Sequence, residues 1–137
     1  MQTVFTLRLK HFTRVINNDE NIVRIKVGYG THCDTKYSKR NTLFLPVWLY
    51  KRIQSYINSQ RAIKKRNKSK HIFSDNNLQY LFLTAKGTPY YCANDDKYKI
   101  LYKSPPSGET VRMFINNTLK KKYKEKNFIL NFSFHDL

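Results

Sequence analysis

The sequence predicts an α+β fold, mostly helical with a small antiparallel β-hairpin, and three stretches carry that expectation. Ile22 to Val27 alternates apolar Val23, Ile25 and Val27 with Arg24 and Lys26, the spacing of a strand buried on one face. After a polar, basic connection, NTLFL (41–45) resumes strand-type residues and stops at Pro46, so the two runs form a hairpin. Pro46 then sits where a first helical turn favours proline, ahead of VWLYKRIQSYINSQ, in which Leu49, Ile53, Tyr56 and Ile57 share one helical face.

The remaining elements follow in chain order. MQTVFTLRLKH (1–11) places Val4, Phe5, Leu7 and Leu9 at helical spacing without an N-cap, which predicts a helix already in progress at the start. Asn17 to Asn21 is a polar turn. Gly28-Tyr29-Gly30 loosens the backbone ahead of THCDTKYSKR, the cationic connection of the hairpin. RAIKKRNKSKH (61–71) is a dense charge run, which a solvated face or contacts to a phosphate backbone explain equally well. YLFLT (80–84) reads as a short strand closed by the turn Lys86-Gly87-Thr88-Pro89, and Tyr90 to Lys103 as loop. Ser104 to Gly108 announces a last helix, with Ser107 as cap and Val111, Phe114, Ile115, Leu119 and Tyr123 facing inward. Its basic end, KKKYKEK, complements the negative pole of the helix dipole. No repeat or linker divides residues 1–137, so a single domain is expected.

Composition narrows the partner. The chain has 137 residues, 26 Lys+Arg against 9 Asp+Glu and a formal charge of +17, so it repels itself and favours a polyanion. Nucleic acid is the first candidate. A membrane is a poor one, because no apolar run approaches a bilayer's thickness. Cys33 and Cys92 are far apart and form no CxxC pair, which argues against a zinc module or a disulfide scaffold and for a reducing, cytoplasmic setting. There is no P-loop, HExxH or GxSxG pattern. His11, His32, His71 and His135 are scattered, and the acidic residues are too few and dispersed for a two-metal centre, so neither metal nor cofactor is expected.

Three blocks, in order, carry a more specific resemblance: DTKYSKRNTLFLPVWLYKRI (34–53), LFLTAKGTPYY (81–91) and FSFHDL (132–137). Together they resemble the catalytic domain of the tyrosine recombinases, the phage-integrase family. There a TK, a nearby Lys or Arg and an LP-terminated strand precede an amphipathic helix. An xFxTxxGxP stretch follows, then a helix leading into His-Asp-Leu-Arg-His. TVFTLRLKHF (3–12) is similar to the turn that follows the family's first catalytic Arg, with Thr3 where Glu is common. The resemblance therefore implies a partial, central catalytic domain, with the first Arg just before Met1, the second just after Leu137 and the nucleophilic Tyr beyond.

The implied activity is site-specific DNA recombination. A tyrosine oxygen attacks a phosphodiester, and a 3′-phosphotyrosyl link conserves the bond for rejoining without metal or ATP. The resemblance makes Lys36, or Lys39 if the loop aligns three residues later, the general acid for the leaving 5′ oxygen. It makes His135 an acid/base or phosphate donor oriented by Asp136. Lys39, Arg40, Lys64, Lys65, Arg66 and Lys86 become candidate duplex contacts. Double-stranded DNA is then the partner, the setting nucleoid-associated, and the parent protein a tetramer on DNA. The segment alone, monomeric and lacking the nucleophile and both arginines, is expected to bind without cleaving. The competing expectation is a non-catalytic basic nucleic-acid-binding module or a degenerate integrase remnant.

Overall fold

The alternation along the first strand becomes one-sided burial in the computed structural model, which describes residues 2–17, 19–69, 75–101, 107 and 109–125. The main elements are α1 (Gln2–Thr6), β1 (Ile22–Val27), β2 (Asn41–Pro46), α2 (Val47–Ile57), α3 (Gln60–Lys68), α4 (Glu109–Met113) and α5 (Lys120–Glu125), with short 3-10 turns along the chain and a π-helical stretch joining α4 to α5. β1 buries Val23, Ile25 and Val27 and exposes Ile22, Arg24 and Lys26. It pairs antiparallel with β2, from Ile22 opposite Pro46 to Val27 opposite Asn41. Pro46, which has no N–H for the ladder, ends β2, and α2 begins at the next residue. A mixed fold of helices and one two-stranded antiparallel sheet among the described residues thus matches the predicted class.

The sheet's inner face closes on Leu7, Phe12, Cys33, Tyr50 and Leu81, with Ile53, Tyr56 and Ile57 of α2 at the margin. Burying a side chain of this size contributes about 1.5–3 kcal/mol, so this cluster holds the hairpin, α2 and the N-terminal segment together. Tyr50, rather than the expected Leu49, is the α2 residue with no exposed surface. Its ring lies 5.3 Å from that of Phe12, and its hydroxyl accepts the Arg14 N–H at 3.2 Å, so a polar tip is satisfied inside an apolar site. α3 is capped by Ser59, whose Oγ accepts the Ala62 N–H, and the buried Ala62 lets the helix lie close to its surroundings.

Three expectations are revised. The helix over 1–11 is short: α1 ends at Thr6, Arg8 is extended and bridges Tyr80, and a 3-10 turn covers Leu9–Phe12. Arg8 is only 2% exposed, and the extended backbone carries its guanidinium to acceptors that a continuous helix would not reach. YLFLT is not a strand. Tyr80 and Leu83 make isolated bridges to Arg8 and Pro89, because the chain turns at Lys86-Gly87 before a ladder can extend. Finally, the helix over 109–125 buries none of its apolar residues among the described contacts, and Phe114 and Met113 are exposed. Residues Phe114–Leu119 are wound as a π-helix, which rotates later positions off the face that α-helical spacing defines. No helix among the described residues is long and apolar enough to cross a membrane.

Candidate nucleic-acid interface

Lys36, Lys39 and Arg40 stand on the connection between β1 and β2, a loop with a fixed internal shape. The Gly28 N–H donates to Cys33 O at 2.8 Å, and the Thr31 N–H and hydroxyl both return to Gly28 O. The second half closes on itself through Ser38 N–H to Thr35 O at 3.0 Å, and the Thr35 hydroxyl donates to Lys39 O. Gly28 has φ +98°, and a Cβ there would fall 2.2 Å from Lys39 O, so only glycine lets the two ends of the loop approach. Tyr37 and Ser38 are also left-handed, with φ 60° and 54°, a conformation that costs energy and concentrates at functional turns.

This loop presents its cations to one open concavity of about 420 Å³, lined by Thr35, Lys36, Tyr37, Lys39, Arg40 and Leu43 among others. The Lys36 Nζ lies 5.3 Å from the centre of the exposed Tyr37 ring. The structure thus brings together three of the sequence-predicted residues, Lys36, Lys39 and Arg40, all exposed.

A second basic region forms where the TAKGT turn (84–88) sits on the end of α3. Thr84 and Thr88 close the turn by a hydroxyl pair at 2.8 Å and by the Thr84 N–H to Thr88 O. Gly87, at φ +79°, lies so close to the backbone of Lys65, Lys68 and Ser69 that a Cβ would approach to 2.7 Å. The turn that carries Lys86 therefore lies against the C-terminal end of α3. Lys64, Lys65, Arg66 and Lys86 differ in availability. Lys64 and Lys86 are exposed. Lys65 is half-buried and its Nζ donates to Leu83 O at 2.7 Å, with burial lowering its pKa. Arg66 donates to Ile57 O, and burial also lowers its pKa; its Nη1 is buried without a partner among the described residues. Lys65 and Arg66 thus serve as internal ties, a role that the charge count of RAIKKRNK does not reveal.

Sequence reasoning missed the node behind the hairpin loop. The Arg8 guanidinium donates to Leu78 O at 2.9 Å and His32 O at 3.2 Å, reaches Asp95 Oδ1 at 3.4 Å, and lies 3.8 Å from the Tyr80 ring centre. Asp95 in turn pairs with His32 Nδ1. The Tyr80 hydroxyl donates to Asp96 at 2.7 Å and accepts the Ala93 N–H, and burial pushes its pKa far up, so it is not a poised nucleophile. Nearby His11 accepts the Arg8 N–H at Nδ1 and faces Thr31 O through Nε2, which fixes the Nε2–H form; burial lowers its pKa. The thiols are equally quiet, with burial raising Cys33 and pushing Cys92 up to about 11. In the sequence Arg8 gave no signal beyond its place between Leu7 and Leu9.

His135 and Asp136 lie outside the described residues. Among the described residues no group of three or more His, Cys, Asp or Glu side chains is placed to hold a metal ion. No family model, curated protein or solved structure matches the chain.

Proposed function

We propose that this chain is the DNA-engaging part of a tyrosine-type site-specific recombinase, acting on duplex DNA through the hairpin loop. The observation that carries the reading is the clustering of Lys36, Lys39 and Arg40 around one concavity on the antiparallel hairpin. The block order TK, LP strand, amphipathic helix and LFLTAKGTP supplies the chemistry such a cluster would serve.

A scissile phosphate needs charge neutralisation on its non-bridging oxygens and a proton for the oxygen that departs. In this reading the Lys36 ammonium supplies that proton, and Arg40 and Lys39 hold flanking phosphates. Lys64 and Lys86 extend the contact along the backbone without reading sequence. His135 acts at the same phosphate as acid/base or hydrogen-bond donor, with Asp136 orienting it. The reading also calls for a nucleophilic Tyr and two phosphate-holding Arg, roles it assigns to none of the 137 residues, and for strand exchange in a tetramer on DNA. Since every step exchanges one phosphodiester for another, neither metal nor cofactor is required by the chemistry.

Duplex affinity measured against salt tests the binding half. The logarithm of the binding constant should fall linearly with the logarithm of salt concentration, and Lys36→Ala should flatten that slope by roughly one contact. Salt-independent or absent duplex binding would overturn the reading. Covalent trapping of the protein on a nicked suicide substrate tests the chemical half. Duplex binding without trapping would assign the chain to a non-catalytic basic module instead.

A further inference from the structure

The outer face of the hairpin sets aromatic rings and cations side by side. On β1, Ile22, Arg24 and Lys26 face outward opposite Pro46, Phe44 and Thr42 of β2. The Arg24 guanidinium lies 5.9 Å from the Phe44 ring centre, and that of Arg40 lies 5.8 Å from the Tyr29 ring centre. These rings are not core residues, since Tyr29 is 72% and Phe44 63% exposed. From Ile22 to Trp48 the one acidic residue is Asp34. Its carboxylate is engaged by the Asn94 N–H at 2.9 Å and the Gln2 amide at 3.3 Å. Between Tyr29 and β2 runs a groove of about 440 Å³ lined by Lys26, Tyr29, Arg40, Asn41 and Thr42. It adjoins the concavity at Lys36, and Val27, Arg40 and Asn41 border both.

A ligand that joins a flat π-face to a phosphate would use both an exposed ring and the cation beside it. A duplex hides its base faces in the stack, so phosphate contacts alone would give these rings nothing to bind. We propose that this face binds single-stranded DNA, with one unpaired base stacked on Tyr29 in the groove, its phosphate held by Lys26 and Arg40, and a base further along the strand stacked on Phe44 beside Arg24. Asn41 and Thr42 line the groove where a base edge would lie. With Lys and Arg along the hairpin and its one carboxylate already engaged, the surface repels a basic partner and favours a polyanionic one. This inference goes beyond duplex binding and stands on the hairpin surface alone, independent of recombinase chemistry.

Anisotropy with three ligands tests it: an oligothymidylate of about 15 nucleotides, an abasic strand of equal length, and a duplex. Wild type should bind the oligothymidylate about ten-fold or more tighter than the abasic strand. Tyr29→Ala and Phe44→Ala should each remove about ten-fold of that affinity, Tyr29→Phe should retain it, and duplex affinity should change by less than about two-fold in all three. Because both side chains are exposed, unchanged circular dichroism is expected for every variant. Equal affinity for the abasic strand, or an oligothymidylate affinity indifferent to Tyr29→Ala, would overturn the proposal. So would sedimentation showing a dimer that Phe44→Ala dissociates while single-strand binding is unchanged, since the face would then belong to a second copy. Failure of duplex binding with base-dependent single-strand binding intact would overturn the duplex reading and leave this one standing.

Discussion

Replacing Arg8 with Met keeps most of the side-chain stem and removes the guanidinium, which isolates what the charged node contributes. Two hydrogen bonds of ordinary length, to Leu78 O and His32 O, are lost. Hydrogen bonds from a charged donor are worth about 1.5–3 kcal/mol each. The Asp95 contact is long at 3.4 Å and its carboxylate is 39% exposed, so solvent screening leaves it a minor share. Loss of the face-on contact with Tyr80 adds about 1–2 kcal/mol in a desolvated site. Relief of the cost of burying a charge offsets part of this sum, so the net loss should be about 3–5 kcal/mol, the range for breaking a buried charged network. That is a large fraction of the roughly 5–15 kcal/mol a domain possesses. Urea unfolding followed by circular dichroism measures it, and hydrogen exchange should report faster opening of residues 28–38, which Arg8 ties down through His32. A loss below about 1 kcal/mol, with loop exchange unchanged, would refute the claim that Arg8 anchors the hairpin loop.

Gly87→Ala places a methyl within 2.7 Å of α3 backbone atoms at a positive φ, so it should destabilise the protein by about 1–3 kcal/mol and weaken any function of Lys86, measurable by the same unfolding curves. His11 should make stability depend on pH. Burial holds its folded pKa below 6.5, so the unfolded chain binds more protons between the two values and stability falls as pH drops through that window. His11→Gln, which keeps one acceptor and one donor, should flatten the wild-type slope below pH 6.5, and an unchanged slope would contradict the assignment.

What was readable in the sequence was what depends on near neighbours. Val23, Ile25 and Val27 report their burial by alternation, and Pro46 marks both the end of β2 and the start of α2. What was hidden depends on partners distant along the chain. Arg8 reads as an ordinary surface cation between Leu7 and Leu9 because its acceptors come from residues 32, 78 and 95. Tyr50 outcompetes Leu49 for the core because Arg14 satisfies its hydroxyl. Lys65 and Arg66 read as free charge because nothing local shows that Leu83 O and Ile57 O lie within reach. At the candidate interface, the cations of the loop were legible from the TK and LP pattern. The exposed rings were not, since an aromatic in a strand is ordinarily a core residue.

A DNA substrate with sulfur in place of the bridging 5′ oxygen tests the central claim most directly, because a thiolate leaves without needing a proton. In any cleavage-competent form of the protein, Lys36→Ala should slow cleavage of ordinary DNA by about 10²–10⁴-fold, the usual worth of a general acid, and cleave the sulfur substrate at close to the wild-type rate. An equal defect on both substrates, or no defect on either, would contradict the assignment of Lys36 as the proton donor.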